Sequence, residues 1–284
     1  MLDLILSPFE YTFMQKAFLI SIGIAIPMSI ISCYLILKGW ALMGDAISHA
    51  ILPGIVISYI FGIALSIGAF FAGLFCALTS GYIKNNSKLK NDSILGIVFS
   101  GMFALGLILY LKIETDIHLD HILFGNILGL SWNDVINSIA LGIVCTLFIY
   151  FQRFDLMLNI FDSQHATAIS NNVKKLNYIF LAILSLIIVA SLKSTGIILG
   201  IAMLIIPGSI SYLISKNFFE MMKFSLFISI CSSLIGVYIS FFIDSAPAPT
   251  IVLILASVFI ILSLIHISEP TRRTPISYAV FCLK

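Results

Sequence analysis

AFLISIGIAIPMSIISCYLIL, residues 17–37, holds no charged side chain and is closed by Lys38. An α-helix rises about 1.5 Å per residue, so this run covers roughly 30 Å, the thickness of a bilayer's hydrocarbon core. Lipid offers no hydrogen bonds, and a lone apolar run satisfies its backbone there only as a helix. Pro27 inside the run does not exclude this, because membrane helices tolerate proline.

The pattern repeats outward from this run. Further apolar stretches fall at 40–61, 63–83, 93–111, 135–151, 178–194, 196–215, 224–243 and 248–265. The expected fold is therefore an all-α, polytopic bundle of about nine spans. Only Gly62 and its small neighbours separate the second from the third. Composition agrees. The 284 residues are 60% hydrophobic and 10% charged, with mean hydropathy +1.13, where soluble domains carry about 25% charge. The net charge of +2 and the absence of a basic, aromatic-studded patch give nucleic-acid binding no support. Residues Met1–Tyr11 lack a basic start and a small-residue cleavage site, so no removable signal peptide is expected. Cys33, Cys76, Cys145 and Cys231 lie in apolar stretches, and with Cys282 they form no C-x-x-C. They read as small buried residues rather than disulfides or ligands.

Loop charges order the spans. With Lys84, Lys88 and Lys90 in the cytoplasm and sides alternating, Lys38, Arg153, Lys174, Lys175, Lys216 and Lys223 also lie inside. Only Lys16, Lys112 and Lys193 lie outside, where Lys193 snorkels to the surface. This is the positive-inside bias of a multi-pass inner (plasma) membrane protein, with its N-terminus out and C-terminus in. Of the two longer loops, 112–134 is outer and acidic. Loop 152–177 is inner and of a size to dock another protein.

The membrane domain is assigned to residues 1–265. From His266 the chain carries Pro270, Arg272, Arg273 and Pro275 directly after an apolar span. This stretch looks like translated adapter or vector sequence. Residues 266–284 are expected to be a non-native tail and receive no functional role.

Chemistry concentrates in the second span, in Gly44-Asp45-Ala46-Ile47-Ser48-His49-Ala50-Ile51-Leu52-Pro53-Gly54. Asp45 is the one acidic residue deep within any expected span. His49, four residues on, shares its helix face. A helix counted from Lys38 puts Asp45 about 10 Å and His49 about 16 Å into the bilayer. A carboxylate there costs about 2.5–3.5 kcal/mol, so it is expected to face the bundle interior and mark a substrate path. Carboxylate oxygen with imidazole nitrogen suits a borderline divalent cation such as manganese, iron or zinc. Two side chains do not fill a coordination shell. Pro53 and Gly54 can break the helix and free carbonyls nearby. The plainer alternative is an Asp–His hydrogen bond that only locks packing.

Other candidates carry less. His118, Asp120 and His121 in the outer loop read as solvated, and His165 as a partner or solvent contact. Pro207 and Gly208 interrupt the seventh span, either as a kink for gating or as a close-packing site. The sequence has no H-E-x-x-H, G-x-S-x-G, C-x-x-C or P-loop. It therefore reads as a transporter rather than an enzyme. It needs no permanently bound cofactor, and any ATP hydrolysis belongs to a partner.

Over about residues 7–262 the chain resembles the ABC-3 family of metal importer permeases, in its manganese and iron branch. Three ordered blocks carry the resemblance: Leu37-Lys38-Gly39-Trp40-Ala41-Leu42-Met43-Gly44-Asp45-Ala46-Ile47-Ser48-His49 with Leu52-Pro53-Gly54; Phe124-Gly125-Asn126-Ile127-Leu128-Gly129; and Thr195-Gly196-Ile197-Ile198-Leu199-Gly200-Ile201-Ala202-Met203, ending at Pro207-Gly208. The resemblance implies a permease that pairs with a second permease subunit, homodimer or heterodimer. It also implies two cytoplasmic ATPase subunits and metal received from an extracytoplasmic binding protein. It puts metal on Asp45 and His49, and the coupling segment at about Asp162–Val173, with Asp162, Ala166, Ala168 and Ser170. Ser170 stands where the family usually has glycine. The rival expectations are a zinc permease of the same family, a gradient-driven metal transporter, and an intramembrane enzyme using Asp45 and His49 as acid and base.

Overall fold

The computed structural model describes residues 7–112, 125, 127–162, 166–168 and 173–268. Its helices are α1 (Thr12–Leu37), α2 (Met43–Ala50), α3 (Leu52–Ile60), α4 (Leu65–Asn86), α5 (Asn91–Lys112), α6 (Trp132–Phe151), α7 (Arg153–Phe161), α8 (Val173–Ile214), α9 (Phe218–Ile243) and α10 (Pro247–Ser268). Among the described residues there is no strand. Among the described residues, nine helical segments are long and apolar enough to cross a membrane. They coincide with the nine expected spans, the second being α2 with α3, and the sixth and seventh both lying in α8. Residues 269–284, most of the tail set apart above, lie outside the described residues.

Several helices begin earlier than apolar patterning suggests, and two of them have a visible local contact. α1 takes in Lys16, whose Nζ donates to the Leu130 carbonyl at 3.1 Å and lies 5.4 Å from the Trp132 ring. α9 takes in Glu220, whose Oε2 accepts the Lys216 N–H at 3.3 Å and so satisfies a donor at the helix entry. A third difference matters more. Residues 38–42 are not helical. Gly39, at φ +65°, ends α1, while the Trp40 N–H closes on the Leu35 carbonyl at 2.8 Å and the Gly39 N–H on Ile36 at 3.1 Å. This is a glycine-terminated helix end. Counted from Met43, where helix resumes, Asp45 is only about 3 Å along and His49 about 9 Å. A continuous helical rise counted from Lys38 therefore does not apply to the pair, because residues 38–42 form a turn.

α1 forms the centre of the bundle, packed on α8, α9 and α6. The broken second span, α2 with α3, lies against α4, α5 and α8. In lipid, apolar side chains gain little by meeting one another, so close approach by small residues holds helices together. A Cβ added at Gly54 would stand 2.1 Å from the Gly68 carbonyl oxygen, and one at Gly106 would stand 2.8 Å from the Pro53 nitrogen. Serines add bonds across helices: Ser225 Oγ donates to the Ser29 carbonyl at 2.9 Å. Cys33, Cys76 and Cys145 are buried and unbridged, as their apolar surroundings suggested.

At Gly196 the chain has φ 74° and ψ 177°, a conformation open essentially to glycine alone. There α8 divides into two arms. A Cβ on Gly200 would lie 3.3 Å from Ser191 Oγ. Residues nine apart on a continuous helix would be about 13 Å apart along its axis, so the second arm doubles back along the first.

Candidate metal site and inner network

α2 is two turns long and begins after Leu42. Asp45 lies in its first turn and His49 in its last. A carboxylate near a helix N-terminus and an imidazole near its C-terminus both suit the helix dipole. That is the purely structural benefit of the pair. Its geometry offers more. His49 Nε2 stands 3.3 Å from Asp45 Oδ1, with the two side chains 31% and 32% exposed. Two donors held at about 2.1 Å from one ion, at tetrahedral or octahedral angles, are about 3.0–3.4 Å apart. The observed 3.3 Å falls in that range and is also the distance of a direct Asp–His contact, and both side chains remain partly open.

The walls around it are mixed. The His49 ring meets Phe103 edge-on at 5.5 Å and Phe99 at 5.9 Å, both from α5. Behind α2, a Cβ on Gly44 would lie 2.9 Å from Leu204 Cδ1, so α8 presses directly on this turn. Ser48 Oγ is occupied with the Gly44 carbonyl at 2.8 Å. Among the described residues, no third His, Cys, Asp or Glu joins the pair in a metal-holding group.

Pro53 bears on the site through the backbone. Helix lapses at Ile51, between α2 and α3. In a continuous helix the N–H of residue 53 would close on the carbonyl of residue 49. Proline has no N–H, so the His49 carbonyl loses that donor. The residue that offers the imidazole thus also carries a carbonyl released from the helix ladder. Gly54 sits against Gly68 and Ala72 of α4. Pro207 and Gly208 differ: both are buried, and α8 keeps helical backbone angles through them. The Gly208 N–H donates to Ser32 Oγ at 2.9 Å.

The expected coupling residues follow α7. Asp162 is exposed, and its carbonyl accepts the Ala166 N–H at 3.0 Å. Ala166 is 3% exposed and Ala168 is exposed, in a helical turn at 166–168. Ser170 and His165 lie outside the described residues, as do His118, Asp120, His121, Phe124, Asn126 and the Lys193 side chain.

Sequence reasoning missed a network at the inner end. Lys38 Nζ donates to Asn177 Oδ1, which also accepts Asn159 Nδ2 at 2.7 Å. The same Nζ lies 4.1 Å from the Trp40 ring, and Lys84 Nζ lies 4.7 Å from it. Burial, and then the charge of Lys84, bring the Lys38 ammonium down to about 8. Lys38 had read only as the marker of a span's end. Its place beside Trp40 in the first motif block was the signal available. A second meeting joins the other two blocks: a Cβ on Gly125, itself at φ +68°, would lie 2.4 Å from the Gly196 nitrogen.

Nine apolar helical segments among the described residues define a multi-pass membrane protein, with a partly exposed Asp–His pair in one of them. Comparison with known proteins supplies the family. The chain matches the ABC 3 transport family over residues 10–266 and belongs to it. It is 47% identical over 281 residues to the chelated iron transport system membrane protein YfeD of Yersinia pestis, covering 98% of this chain and 95% of that one. It is 43% identical over 257 residues to the manganese transport system membrane protein MntB of a Synechocystis strain, covering 90% and 84%. Among solved structures, PsaBC from Streptococcus pneumoniae in complex with Fab superposes with a TM-score of 0.81 at 35% identity, covering 92% of this chain and 95% of that one. The protein is thus a multi-pass inner-membrane permease of a transport system, not an enzyme.

Proposed function

We propose that this permease carries manganese or iron, as the divalent ion, into the cytoplasm by alternating access, driven by ATP that separate subunits hydrolyse. The observation that carries this reading is the 3.3 Å Asp45–His49 pair, one-third exposed beside a helix break inside a membrane span. The iron and manganese names of the relatives at 47% and 43% identity support the cargo. Asp45 Oδ1 and His49 Nε2 hold the ion transiently. Water, backbone carbonyls or groups from a second permease subunit fill the rest of its shell. An extracytoplasmic metal-binding protein delivers the ion to the outer mouth. The ATPase docks on the inner loop through Asp162, Ala166, Ala168 and Ser170. Zinc takes the same ligands and binds them more tightly than manganese or iron. Selectivity against it therefore rests on geometry and delivery rather than on donor type.

Asp45→Asn tests the site, because it keeps the side chain's shape and removes the charge. Uptake of radioactive manganese should fall at least about a hundredfold, as when a charged ligand is lost from a metal centre, with the protein still inserted. Uptake at the unsubstituted rate would refute the assignment. Competition by iron and zinc in the same assay ranks the cargo. Uptake in proteoliposomes that follows an ion gradient without ATP would favour a secondary transporter instead.

A further inference from the structure

The inner network links the two ends of the docking loop to the turn that launches the metal helix. Asn159 belongs to α7, just before the loop, and Asn177 to α8, just after it. Asn159 is 7% exposed, and its amide donates to Asn177 Oδ1 at 2.7 Å. Lys38 donates to the same oxygen, so one atom receives donors from α7 and from the 38–42 turn. The Lys38 ammonium also stands 4.1 Å from the Trp40 ring and 5.6 Å from the Phe180 ring of α8. The Trp40 carbonyl accepts the Met43 N–H at 2.9 Å, the bond that opens α2. Asp45 is two residues further on.

A half-buried ammonium is costly to leave without partners, and a satisfied polar network away from bulk water is stiff. Displacing α7 and the start of α8 therefore either drags Lys38 with them or strands its charge. Trp40, at 6% exposure, has little room to move independently.

We propose that Lys38 is the positioning residue that carries movement of α7 and the start of α8, which flank the docking segment, to the Asp45–His49 helix. It is bonded to Asn177 beyond the loop and stacked on Trp40 in the turn before α2. The proposal rests on the reading of that segment as the ATPase dock.

The test uses the assembled transporter, with its ATPase and binding-protein partners, in proteoliposomes, measuring metal moved per ATP hydrolysed. Lys38→Met keeps the apolar stem and removes the ammonium. It should leave ATP hydrolysis within about twofold while metal moved per ATP falls about tenfold, the scale of a lost coupling contact. Lys38→Arg, which keeps both the donor and the cation over Trp40, should restore the ratio. Asn177→Leu, which removes the shared acceptor without touching Lys38, should uncouple in the same way, and it decides the matter if Lys38→Met does not accumulate. An unchanged ratio in both variants overturns the proposal, as does an equal fall in hydrolysis and transport. Disulfide cross-linking of Ala168→Cys to the ATPase separates the two readings. Without that cross-link the docking assignment fails and takes the relay with it. With it and an unchanged ratio, the relay alone fails.

Discussion

Before Pro53-Gly54 the helical hydrogen-bond pattern lapses at Ile51, which itself keeps helical angles (φ −70°, ψ −26°), whereas Pro207-Gly208 lies in an unbroken helical stretch of α8. The dipeptide is the same, and so is the missing N–H. What differs is the surroundings. Gly54 faces the Gly68 backbone, and Pro53 is covered by Gly106, so two neighbouring helices press on the break from different sides. Gly208 is held to α1 by its own N–H, through Ser32 Oγ, within a single helix-on-helix contact. A proline in a membrane helix thus permits a break, and the neighbours decide whether one forms. Of the two, only the second span turns the freed carbonyl, that of His49, into a neighbour of an Asp–His pair.

The largest expected effect is at Gly54. Gly54→Val brings a side chain onto the Gly68 carbonyl, a backbone group that cannot rotate away. It should cost about 3 kcal/mol or more, at the upper end of overpacking penalties, read as a collapse of the melting temperature in detergent. Wild-type melting would show that the α3–α4 contact does not hold the break. Pro53→Ala comes next. It returns an N–H to the His49 carbonyl and allows α2 to run on into α3. Uptake should fall roughly tenfold, about 1.4 kcal/mol of lost function, at normal abundance in the membrane. Uptake equal to wild type would sever the link between the break and the site. Pro207→Ala should do least, because its helix is already intact. Stability should move by no more than about 0.5 kcal/mol and transport by less than about twofold. A larger loss would make the seventh span a gate and erase the contrast.

Nine spans were legible because bilayer thickness converts directly into apolar run length, and every long run here became a crossing. Asp45 and His49 were legible as a pair because their four-residue spacing already fixes a shared helix face. Depth was not legible. Gly39 ends α1 with a left-handed residue, and hydropathy does not register a turn made of Trp40, Ala41 and Leu42. Nor was the inner network, since Lys38, Asn159 and Asn177 are far apart in the chain and two of them are asparagines in otherwise ordinary helices. The contact between Gly125 and Gly196 was half legible. Both lie in recognisable blocks, but nothing in either block says that they touch.

That last contact has an evolutionary consequence. Each glycine adopts a backbone angle that side chains resist, and a side chain on Gly125 would need the room that the Ser194–Gly196 backbone occupies. When a large core residue grows, a partner can usually shrink to compensate. Here the obstacle to a side chain on Gly125 is backbone, so shrinking a neighbouring side chain frees no space, and a substitution there requires the turn at Gly196 to move.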